Sequence, residues 1–118
     1  MRVLNRIYAF LGWAIIALGS LHMLTTFRLS SSPASRVWFF GSGIALVLLG
    51  ALNLLHRTYG QSAPGLRTVC RSANIFLTLF AAVAGTVTRA SIPEFVIILG
   101  LIGGATILSF LGSVHAEI

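Results

Sequence analysis

His22 and Glu94 form the sharpest chemical pair in this chain. A carboxylate can orient a histidine and tune its basicity, which gives a general base or a metal ligand. The bland alternative is a neutral histidine bridging two helices, with Glu94 capping its own helix. Zinc needs more ligands than this pair supplies. The single cysteine, Cys70, excludes an intrachain disulfide and a multi-cysteine metal site. Haem on two histidines of one chain meets a depth problem, because His22 falls toward one membrane face and His56 and His115 toward the other. No metal and no cofactor is therefore expected of a single chain.

A second group is amide-based. Asn53 and Asn74 fall at similar depth on separate apolar segments, with Tyr8, His56, Arg67 and Arg71 nearby. Amides at membrane depth need partners, so these two are expected to clamp helices together. Their functional alternative is a polar anchor for a lipid or quinone head group in a mostly apolar recess. Arg67 and Arg71 lie one turn apart, able to hold a phosphate or to snorkel toward lipid head groups. Cys70 has Arg71 as neighbour but lacks a base or a second cysteine, so it is expected to be inert.

The elements that must position these groups are long apolar segments. Of 118 residues, 57% are hydrophobic and only 8% are charged, too small a charged surface for a soluble domain of this size. Four segments, at about 7–27, 37–56, 72–89 and 94–114, are near or above the ~20 residues that cross a bilayer. They are continuous apolar runs without strand alternation, and lipid requires internal backbone pairing, so helices are expected. The fold class is an all-α integral membrane four-helix bundle, one domain over 1–118. Arg2 and Arg6 before an apolar stretch imitate a signal peptide, but the run continues beyond Gly19 and reads as an uncleaved first helix.

Short connectors force antiparallel neighbours and an up-down-up-down order. Ser32 is placed to cap the second helix with Pro33 at its first position. Gly60, Pro64 and Gly65 break the chain between the second and third segments. Ser91 and Glu94 have capping-box spacing at the start of the fourth. Small residues mark seams: Gly12 with Gly19, Gly43 with Gly50, Ala81 with Gly85, and the GxxxG step Gly100–Gly104. The last of these is the first candidate for a contact between copies.

In that order the polar stripes sort into two clusters. The outer one holds His22, Thr26, Trp38, Ser42 and Glu94. The cytoplasmic one holds Asn5, Tyr8, Asn53, His56, Arg67, Cys70, Arg71 and Asn74. Between them the bundle is aliphatic, aromatic or glycine, which argues against a proton or ion relay through the chain. Trp38, Phe39 and Phe40 at the outer interface, and Tyr8 and Tyr59 at the inner one, fit aromatic belts.

All eight cations are arginine, against Glu94 and Glu117. Arg2, Arg6, Arg57, Arg67 and Arg71 fall on one side and Arg28, Arg36 and Arg89 on the other. The positive-inside bias puts both termini in the cytoplasm, in a membrane of bacterial inner-membrane type. At helix ends these arginines suit lipid phosphates, and no nucleic-acid partner is expected.

In length and helix number the chain resembles small four-helix multidrug exporters. The membrane-embedded carboxylate expected of helix 1 in that family is absent here, where His22 is the comparable ionisable group. The expected role is a non-catalytic one: binding or organising a hydrophobic partner such as a membrane lipid, a quinone or a membrane-complex subunit, with a homo-oligomer as one form. The alternatives are an oligomeric transporter coupled through His22 and Glu94, and a membrane enzyme using His22 on a lipid-like substrate.

Overall fold

A computed structural model describes residues 2–112. The chain is all-α: α1 (Arg2–Thr26), α2 (Pro33–Tyr59), α3 (Pro64–Val87) and α4 (Ile92–Ser109), with no strand among the described residues. All four are long and apolar enough to cross a membrane. At 1.5 Å per residue even the 18-residue α4 reaches about 27 Å, close to the ~30 Å of a hydrocarbon layer.

The helix ends follow from local chemistry. Ser32 caps α2 by accepting from the Ser35 amide at 3.2 Å, and Pro33 is the first helical residue. Proline suits that place because its missing N–H has no helical partner there. Ser91 caps α4 in the same way, accepting from the Glu94 amide at 3.4 Å. Helix α3 starts at Pro64, well before the apolar span that begins near residue 72. The reason is the same: Pro64 preorganises the first turn, and Gly65 follows as a helical residue in open space. His115 and Glu117 lie outside the described residues.

Helix α3 ends in a Schellman turn. The Ala90 amide reaches the Gly85 carbonyl at 3.0 Å and the Arg89 amide reaches Thr86 at 3.4 Å. Arg89 takes the left-handed position of this turn, with φ 53°, and is the one non-glycine residue at positive φ among the described residues. Glycine is the usual occupant, since a Cβ there costs about 1–2 kcal/mol.

Helices α1 and α2 make the closest pair, along a glycine seam. A Cβ built on Gly19 would stand 2.6 Å from the Gly43 carbonyl oxygen, and one on Gly43 2.7 Å from that of Gly19. Gly50 meets the Gly12 oxygen at 2.5 Å in the same sense. Numbers rise along α1 as they fall along α2. Backbone approach of this kind is how small residues drive helix association where the hydrophobic effect is weak. Across α3 and α4, Thr78 and Thr106 bond through their hydroxyls at 3.0 Å. Gly85 sits under the Phe95 ring, which any Cβ there would strike.

The apolar core is small: Tyr8, Ile15, Leu46, Leu49, Ile102 and Ala105. Most large apolar side chains point outward instead, among them Phe76, Leu79, Phe80 and Val83 of α3.

Candidate functional site

The densest polar cluster lies where α1, α2 and α3 meet. Tyr8, Asn53, His56, Cys70 and Asn74 are each at most 1% exposed. Tyr8 stands one turn after Asn5, whose side chain and carbonyl both receive Arg57 Nε, at 3.0 and 3.1 Å. Arg57 Nη2 also donates to Asn5 Oδ1. That clasp joins the start of α1 to the end of α2 and fixes the register that brings Tyr8 to Asn53.

The hydrogen positions follow from the acceptors. Asn53 Nδ2 approaches the Leu49 carbonyl at 2.9 Å, and a carbonyl only accepts. The amide nitrogen therefore points there, and Asn53 Oδ1 faces the other way. Tyr8 Oη lies 2.6 Å from that oxygen, so the phenol donates to it. His56 Nδ1 lies 2.8 Å from the same phenol oxygen, whose only hydrogen is already used. His56 therefore carries its hydrogen on Nδ1 and donates to Tyr8. In the neutral ring, Nε2 is then the accepting nitrogen.

Asn74 completes the set. Asn53 Nδ2 donates to Asn74 Oδ1 at 2.9 Å, and Asn74 Nδ2 donates back to Asn53 Oδ1 at 2.8 Å. The other hydrogen of Asn74 Nδ2 points to Cys70 Sγ at 3.6 Å, and Cys70 donates to Asn53 Oδ1 at 3.4 Å. Both asparagine amides and the phenol thus spend their donors on one another, on Cys70 and on the Leu49 carbonyl. The arrangement ties three helices and keeps a histidine in one tautomer.

Comparison with family models, curated proteins and solved structures found no match.

The other expected site residues lie apart from this cluster. Arg67 donates to the Gly60 and Gln61 carbonyls, both at 3.1 Å, and so closes the end of α2. Arg71 donates from Nε to the Ser109 carbonyl at 2.9 Å and lies over the Phe110 ring at 5.0 Å, which closes the end of α4. The two arginines are one turn apart on α3 but are drawn to different neighbours, so they do not converge as a phosphate clamp.

The remaining expected residues bond locally. His22 Nδ1 donates to the Leu18 carbonyl at 3.0 Å, and its ring stacks on Phe39 with centroids 4.6 Å apart. Thr26 donates to the His22 carbonyl and Ser42 to that of Phe39. Trp38 is 79% exposed. Glu94 is exposed and engages Ser91 through its backbone amide. The structure brings His22 onto Phe39 rather than Glu94. Among the described residues, no three His, Cys, Asp or Glu side chains converge as metal ligands.

Sequence reasoning puts Cys70 at the depth of this cluster but expects it to be inert, and passes over Thr106 and Ser109. Cys70 carried a usable signal: it is one turn before Asn74 on the same helical stripe. Ser109 offers its backbone carbonyl, which leaves no mark in residue type.

Proposed function

We propose that this chain is a non-catalytic integral membrane protein that works by packing against a hydrophobic partner: membrane lipid, a second copy, or a subunit of a larger complex. In this reading the four helices span the bilayer up-down-up-down, with both termini on the cytoplasmic side of a bacterial inner membrane. The observation that carries it is the closure of the Tyr8–Asn53–Asn74 cluster. Among the described residues, this group of fully buried polar side chains spends most of its hydrogen bonds on joining helices, as structural polar groups in lipid do.

The outward surface supports the partner role. Gly100 and Gly103 of α4 have open space where a Cβ would stand, while Gly104 packs on Leu11. Phe76, Leu79, Phe80 and Val83 of α3 are exposed. The transport and enzyme roles lack comparable support, since His22 and Glu94 are engaged separately.

Gentle detergent extraction followed by native mass spectrometry tests the reading. The expected result is a membrane-bound chain released as a particle heavier than the 12.6 kDa protomer, at fixed stoichiometry or with bound lipid. A bare, lipid-free single chain would remove the partner role. A chain that stays monodisperse in buffer without detergent would remove the membrane placement as well.

A further inference from the structure

We propose that the α3–α4 turn holds one anionic phospholipid, with the Arg89 guanidinium on the head-group phosphate and the adjoining carbons along Ile92 and Phe95. This rests on the membrane placement proposed above.

The site is an open groove of about 280 Å³ lined by Gly85, Thr86, Arg89, Ala90, Ile92 and Phe95. It exists because Gly85 lets the Phe95 ring lie directly on α3. Ligand pockets that enclose whole drug-sized molecules start near ~300 Å³. This groove is at that lower limit and open on one side, which suits a head group entering from a membrane surface rather than an enclosed solute.

Its chemistry selects an anion. Thr86 donates its hydroxyl hydrogen to the Ala82 carbonyl at 2.8 Å, so toward the groove it only accepts. The donors on offer from side chains lining the groove are those of Arg89. No ion pair joins Arg89 to Glu94 among the described residues, and Glu94 engages Ser91 through its backbone amide. The guanidinium fork matches phosphate oxygens. Ile92, 79% exposed, and the Phe95 ring supply the apolar wall beside it.

The backbone gives an independent sign. Arg89 occupies the left-handed position of the Schellman turn, where glycine is the unstrained choice. A cation at a helix C-terminus gains from the helix dipole, but a cation one residue earlier would gain as well without the strained φ. From the left-handed position Arg89 lines the groove.

The test uses the full chain in detergent, with native mass spectrometry reading lipid retention. The probes are phosphatidylglycerol, phosphatidylcholine and inorganic phosphate. The wild type is expected to retain phosphatidylglycerol about fivefold better than phosphatidylcholine, the factor carried by one cation near a membrane surface. Arg89→Gly fits the turn, so it should fold at least as well and lose that preference. Arg89→Lys keeps the charge without the fork and should retain part of it, and Arg36→Gln, a control at another helix end, should keep all of it. An undiminished phosphatidylglycerol preference in Arg89→Gly, or equal retention of the two lipids by the wild type, overturns the proposal. Displacement of phosphatidylglycerol by millimolar inorganic phosphate reassigns the groove to free phosphate and also overturns it. A wild-type chain that needs no detergent would instead fail the membrane placement, a distinct outcome.

Discussion

Asn53 and Asn74 exchange two hydrogen bonds across α2 and α3, at 2.9 and 2.8 Å, with both side chains fully buried. Each amide is the other's partner, so replacing one strands the other. Asn53→Leu or Asn74→Leu alone should cost about 1–3 kcal/mol, the usual penalty of an unsatisfied buried group. The double variant should cost less than the sum, because the stranded group goes with its partner. Coupling measured by a double-mutant cycle in detergent unfolding should be about 0.6–1.7 kcal/mol, the span seen for polar contacts between membrane helices. Strict additivity would mean the two amides do not depend on each other.

Tyr8 links that pair to His56. Tyr8→Phe keeps the ring but removes the acceptor of the His56 Nδ1 hydrogen and one donor to Asn53. A loss of about 1 kcal/mol is expected, the net worth of a typical hydrogen bond. The sharper readout is nitrogen NMR of the His56 ring. The wild type should show hydrogen on Nδ1, and Tyr8→Phe should release the ring to a mixture of tautomers. A wild-type ring protonated on Nε2 alone contradicts the network.

The glycines of α1 and α4 should behave oppositely. Gly19→Ala drives a Cβ to 2.6 Å from the Gly43 oxygen and 2.8 Å from the Val47 amide nitrogen, both backbone atoms that a side-chain rotation cannot clear. The helices must separate, at a cost of about 1–3 kcal/mol typical of overpacking. Gly100→Ala enters open space in the isolated chain. In a monomer it should gain about 0.5–1 kcal/mol of helix propensity. In an assembly that uses this face, the same change should weaken association. Unfolding and oligomer mass measured on one sample separate the two effects.

Much of the fold was legible because its determinants are local. Apolar length fixes the helices, and Ser32, Pro33 and Ser91 mark two of their starts. The Gly12/Gly19 and Gly43/Gly50 spacing marks a small-residue seam on each of α1 and α2, and the structure sets those two seams against each other. The Asn53–Asn74 contact followed from matched depth. Two features were less accessible. Arg67 and Arg71 have the spacing of a phosphate clamp, but their directions depend on where α2 and α4 end. His22 and Glu94 share an expected depth, yet depth does not fix the rotation of each helix about its axis. Rotation places His22 against Phe39.

Arg71 separates lipid snorkelling from helix capping. A snorkelling arginine extends toward head groups and leaves its own helix environment unchanged when it is shortened. Here the guanidinium reaches back to the Ser109 carbonyl in the last turn of α4 and covers the Phe110 ring. Arg71→Gln should therefore fray the far end of another helix. Hydrogen exchange in the last turn of α4 should speed up, with the Asn53–Asn74 region unchanged. The expected factor is about five to thirty, the equivalent of about 1–2 kcal/mol for one charge-assisted bond and its ring contact. Arg71→Lys should recover little of it, because an ammonium lacks the planar fork that spans carbonyl and ring together. Unchanged exchange in α4 with either variant would return Arg71 to the lipid surface.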